Sequence, residues 1–115
     1  MLTFPAMVRI FVCTQATDMR RSFDGLGALA KGVVQQDPLS GHLFVFRNRG
    51  GDRLKVLYWD RDGLCIWYKR LEKGTFELPE AKAVSVEISS SELSMLIDGI
   101  ALDAQRRRRY ALPVS

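Results

Sequence analysis

Seventeen basic side chains hold the most legible chemistry of this sequence, and twelve of them are arginines. A guanidinium is a planar fork of donors that fits phosphate or carboxylate and keeps its charge at physiological pH. Six basic residues, Arg47, Arg49, Arg53, Lys55, Lys69 and Arg70, fall in one stretch that also holds Tyr58, Trp59, Trp67 and Tyr68. In an extended chain, alternation places Arg53, Lys55, Leu57 and Trp59 on one face, with Leu54, Val56 and Tyr58 on the other. In the next run Cys65, Trp67, Lys69 and Leu71 share a face, opposite Leu64, Ile66, Tyr68 and Arg70. Phosphate contacts from Arg and Lys, combined with ring stacking, suit nucleic acid. The same pattern also describes an amphipathic sheet with a solvated basic face and both tryptophans in the core, and the two readings stay open. Arg106, Arg107, Arg108 and Arg109 form a second basic feature, either an electrostatic grip on phosphate or a solvated tail.

Catalytic chemistry is harder to find. A Ser-His-Asp or Cys-His relay would need His42, the single histidine, yet no nucleophile elbow accompanies it. Its place beside Gly41 reads as a turn or edge histidine. Asp60 and Asp62 sit in a tight turn, where Asp bonds its own backbone. Gly50-Gly51 is too short for a phosphate loop, and no GxxxxGK[ST] occurs. Cys13 and Cys65 lie far apart in apolar runs, without a CxxC or a clustered His/Cys set, so they read as reduced, unpaired thiols. The chain is expected not to be an enzyme and to need no metal and no cofactor.

These side chains depend on elements that the residue pattern also outlines. VRIFVC (residues 8–13) reads as a buried strand. Thr17 stands as an N-cap, and Met19, Phe23, Leu26, Ala30 and Val33 mark one apolar helix face running to about Gln36. Gly25, Gly27 and Gly32 within that helix imply either close packing on a sheet or a helix shorter than the pattern. From Leu43 the period changes to two. LFVFRN, RLKVLYWD, LCIWYKRLE and TFEL, separated by turns at residues 49–52, 61–63 and 73–74, predict a four-stranded antiparallel meander joined by the opening strand. VSVEI (residues 84–88) follows as a short strand. Ser89-x-x-Glu92 is a capping box that opens a short C-terminal helix over Leu93, Leu96 and Ile97, ending near Gly99. The expected fold is α+β, one domain over residues 1–105 with one N-terminal packing helix, and residues 106–115 as a basic, flexible tail.

Composition bounds the function further. In 115 residues, 47% are hydrophobic and 26% charged, the balance of one ordinary globular domain. No apolar run approaches a membrane span, and Arg9 interrupts the only apolar stretch near the start, so neither membrane nor secretion is expected and the cytoplasm is the expected compartment. The net charge of +4 is unevenly spread. Residues 1–73 carry an excess of five positive charges, and residues 74–105 an excess of five negative ones before the arginine run. A basic body with an acidic segment fits a polyanion partner and a protein partner.

Three strings add a resemblance to this reading: TDMRRSFDGL (residues 17–26), DPLSGHLFVFRNRGGDRLKVLYWDRDGLCIWYKRLEKGTFELP (residues 37–79) and LSMLIDGI (residues 93–100). In order and spacing they resemble the TnpB-type accessory protein of the insertion-sequence family numbered sixty-six. The last fifteen residues fall outside that resemblance. It implies a small protein needed for efficient DNA transposition beside a separate transposase, which keeps the catalytic acids, and it carries over no established site residue. The expected partners are the DNA of the element ends and the transposase encoded by the same element. The alternative is a pure protein-interaction module that docks a partner through the acidic segment between Glu77 and Asp103.

Overall fold

The computed structural model describes residues 7–99. Five strands form one sheet: β1 (Ile10–Cys13), β2 (Leu43–Arg47), β3 (Arg53–Asp60), β4 (Gly63–Arg70) and β5 (Ser85–Ile88). Their spatial order is β4-β3-β2-β1-β5. The run from β2 to β4 is the expected antiparallel meander, with Phe44 opposite Leu57 and Val56 opposite Trp67. The opening strand joins it in parallel, Ile10 opposite Leu43, so the sheet is mixed rather than wholly antiparallel. A parallel neighbour requires a crossover, which the segment between β1 and β2 supplies as a helix. β5 then pairs antiparallel to the free side of β1.

All four residues of β1 are buried, as are the first four of β2, because these central strands are covered on both faces. On one face lie Phe11, Cys13, Phe44, Phe46 and Leu57, packed against Leu26, Ala30 and Val34 of helix α1 (Phe23–Leu29) and its continuation. On the other lie Ile10, Val12, Val45, Leu54 and Val56, packed against Leu93 and Leu96 of helix α2 (Ser90–Ile97). The expected α+β architecture is therefore present, with one helix on each side of the sheet.

Several details differ from the sequence reading. Thr17 does not cap the first helix; its N–H donates to the Arg47 carbonyl (2.9 Å), and the helix begins after Ser22. The helix is thus shorter than the apolar pattern, the second of the two explanations for its glycines. Its last turn, Ala30–Val34, is π-helical and ends at Gln35 in the left-handed region. The wider turn rotates the buried stripe onto Val34, and the earlier start leaves Phe23 45% exposed instead of on the inner face. The capping box is present in full: Ser89 Oγ accepts from the Glu92 N–H while Glu92 Oε1 accepts from the Ser89 N–H. Gly99 turns the chain with a positive φ, as expected for a helix stop.

Residues 75–78 are not a fourth meander strand. Phe76 instead leaves the sheet plane and is wholly buried with Leu54, Leu93 and Leu96, a burial worth about 2–3 kcal/mol. Its N–H donates to the Gly51 carbonyl (2.7 Å), which ties the segment to the β2–β3 turn. There Gly51 has φ +80°, and a Cβ would lie 3.1 Å from Thr75 Cβ, so backbone and neighbour both call for glycine. The arginine run Arg106–Arg109 lies outside the described residues, as does Asp103. No helix among the described residues is long and apolar enough to cross a membrane.

Candidate nucleic-acid interface

Because β1 and β2 are parallel, the chain leaves both at the same edge of the sheet. The segment after β1 and the β2–β3 turn therefore rise side by side, joined by the Thr17 N–H to Arg47 carbonyl bond. Between them opens a cleft of about 730 Å³. Its polar lining includes Arg21, Arg49 and Arg53 with Thr17, Asn48 and Asp18, and Met19 and Leu29 supply apolar wall. Three guanidiniums thus face one carboxylate.

That carboxylate is already engaged. Asp18 accepts from the Arg20 side chain (2.6 Å to Nη2) and from the Arg20 N–H (2.9 Å). The side-chain bond and the backbone bond hold its carboxyl at a pKa of about 2, well below the usual range. Asp52, at the foot of the hairpin turn, accepts from Asn48 Nδ2 (2.8 Å). That bond, with the charges of Arg53 and Arg70, lowers its pKa as well. The acids beside the cleft therefore stay ionised and fix loop geometry. Arg21 and Arg49 make no side-chain hydrogen bond or salt bridge among the described residues, and both are exposed. Two cationic heads at the cleft are consequently available to an anion.

The six basic residues singled out in the sheet separate by strand face. Arg53 and Arg70 are direct cross-strand partners on the α1 face, and Arg49 sits in the turn beside them. Arg53 Nη1 donates to Tyr68 Oη (3.0 Å), and Arg70 pairs loosely with exposed Glu72 (3.3 Å). Lys55 shares that face but is only 8% exposed. Its Nζ donates to the carbonyls of Met19 and Arg21 (2.8 Å each) and lies 4.8 Å from the Tyr68 ring centroid. It thus bolts the segment that bears Arg20 and Arg21 onto β3. Arg47 and Lys69 are on the opposite face. Arg47 Nη1 donates to the Phe76 carbonyl (2.7 Å), and Lys69 Nζ to the Ile97 carbonyl at the end of α2 (2.9 Å). A cation there satisfies a helix-terminal carbonyl and favours the negative end of the helix.

The cluster therefore contains Arg49, Arg53 and Arg70 from the expected set, and Arg20 and Arg21, which composition and alternation did not single out. Their only sequence signal is the adjacent arginine pair in a polar string. The aromatic expectation divides too. Trp67 packs half-buried against the α2-side core, and Tyr68 is the exposed ring.

His42 takes the edge role expected of it: Nδ1 accepts the Arg9 N–H (3.0 Å), and the ring meets Phe11 edge-on at 5.9 Å. Cys13 and Cys65 are both free thiols. The acidic segment is partly consumed locally. Glu87 pairs with Arg9 (2.7 Å), Glu92 closes the capping box, and Glu77 accepts from Thr75 Oγ1 (3.0 Å).

The chain is 43% identical over 93 residues to uncharacterized protein y4hO of Sinorhizobium fredii, with 81% of each chain covered. To uncharacterized protein y4jC of the same organism it is 38% identical over 106 residues, 92% of this chain and 91% of the relative. No solved structure matches it. The family model described as IS66 Orf2 like protein matches residues 8–107, and so extends into the arginine run that the three strings left out. This chain belongs to the IS66 Orf2-like family.

Proposed function

We propose that the protein is a non-catalytic accessory factor in the transposition of a bacterial insertion sequence, and that it acts by binding DNA of the element, together with the element's transposase. Family membership supports the transposition role. The observation that carries the DNA reading is the convergence of Arg21, Arg49 and Arg53 on one cleft, with two of the three lacking any internal partner. Each exposed guanidinium can replace a counterion on a phosphate, and the rigid sheet beneath limits the entropy lost on binding. The competing reading, docking of a protein through the acidic segment, is weakened because Glu77, Glu87 and Glu92 already serve local contacts.

Binding of the full chain to element-end duplex, measured with and without transposase over a range of salt, tests the proposal. Three neutralised phosphates correspond to a log–log salt slope of about −2.7. Arg21→Glu with Arg49→Glu should abolish binding while leaving the thermal melt unchanged. Wild-type affinity in that double variant would refute the cleft as the DNA site. Retention of the transposase interaction without any DNA binding would favour the protein-docking reading.

A further inference from the structure

We propose that the cleft continues into a track for an unpaired DNA strand, with phosphates held by the cleft arginines and a base stacked on Tyr68. This rests on the DNA-binding reading above and narrows it to a strand state.

Arg53 is the hinge of the track. It lines the large cleft and also a smaller recess of about 340 Å³ formed with Tyr68, Arg70 and Glu72. A chain lying in the cleft therefore meets Tyr68 next, across one shared guanidinium. Tyr68 is 45% exposed, and its ring is held in place from two directions. Arg53 donates to its hydroxyl, and the Lys55 ammonium sits at one side of the ring. An aromatic so fixed loses little freedom when a base stacks on it, and every base offers a π-face.

The sheet also tolerates an arrangement that is unfavourable without an anion. Arg53 and Arg70 stand directly opposite each other on adjoining strands, where like charges destabilise a pair. A phosphate between the cleft and Tyr68 relieves that repulsion. The shape favours a single strand. The cationic heads line a concavity sized for a small ligand rather than a broad convex surface, so a duplex reaches only its rim. Paired bases are also stacked within the duplex and cannot lie on Tyr68.

Fluorescence anisotropy with the full chain, comparing labelled oligo(dT) with a blunt duplex of equal length at one salt concentration, tests this. Oligo(dT) is expected to bind at least about tenfold more tightly. Tyr68→Ala should weaken oligo(dT) binding about 5- to 100-fold, the range for loss of one stacked base, and leave duplex binding unchanged. Tyr68→Phe keeps the ring and should keep most of the affinity. Tyr68→Leu preserves bulk without a π-face and should behave like the alanine variant, which separates stacking from any effect on folding. Equal or tighter binding of the duplex, or wild-type oligo(dT) binding by both Tyr68→Ala and Tyr68→Leu, would overturn the track while leaving the DNA reading intact. Failure of the wild type to bind either ligand would overturn both.

Discussion

Replacing Lys55 with methionine removes one buried charge and keeps most of the apolar stem. Two charged hydrogen bonds are lost, to the Met19 and Arg21 carbonyls, together with the contact over the Tyr68 ring. Hydrogen bonds to charged groups contribute about 1.5–3 kcal/mol each, and a partly desolvated cation over a ring about 1–2 kcal/mol. Relief from burying an ammonium offsets part of that sum, leaving an expected destabilisation of about 2–4 kcal/mol. Urea denaturation should show this as a lowered midpoint with an unchanged slope, a fall of roughly 1–2 M for a domain of this size. The binding consequence is separable. Lys55 holds the segment that bears Arg21 but offers no free donor to phosphate, so the variant should weaken DNA binding without altering the salt slope. Arg49→Ala should instead make the slope about 0.9 shallower on duplex DNA. A stability change below about 0.5 kcal/mol, or a slope change matching that of Arg49→Ala, would refute the assignment of Lys55 as a positioning residue.

The Asp18 carboxyl should titrate by NMR near pH 2, and Arg20→Ala should return it toward its ordinary value of 3.8. Because the folded value is the lower one, the stabilisation is fully present above about pH 4 and is lost as the pH falls toward 2. Gly51→Ala should destabilise by about 1–3 kcal/mol in thermal melts, because the substitution combines a positive φ with a close approach to Thr75. Both thiols should react in unfolded, unreduced protein. In the native protein the half-buried Cys65 should react well before the buried Cys13, and finding neither thiol reactive after unfolding would contradict the free state.

The parts of the fold that were legible in the sequence depend on local rules. Asn48 to Asp52 and Asp60 to Gly63 announce their turns, the strands between them alternate, and Ser89 with Glu92 marks a helix start through side-chain chemistry alone. What was not legible depends on distant partners. Thr75 to Leu78 has strand composition, yet the burial offered to Phe76 by α2 outweighs pairing with β4. Thr17 looks like a cap, but the Arg47 carbonyl claims its N–H. The site shows the same division. Charge and residue type identified Arg49, Arg53 and Arg70. Only the three-dimensional arrangement shows Lys55, Arg47 and Lys69 holding backbone carbonyls and Arg21 turned toward the cleft.

The central position of β1 has a kinetic consequence. Its neighbours come from the middle of the chain and from near its far end, Leu43 on one side of Ile10 and Ile88 on the other. The β2–β4 meander can form from local contacts, but β1 needs long loop closures on both sides, and such closures slow folding. During synthesis, an emerging chain that has passed Arg70 but not yet Ile88 holds the meander with β1 unflanked on its outer side. That side is an apolar strand edge, the kind of surface that recruits other chains. Arrival of β5 closes the edge, and α2 then covers Val12, Val45 and Phe76. Rapid-mixing experiments should therefore find β5 and α2 gaining protection last, and fragments ending between residues 71 and 84 should aggregate when the full chain does not.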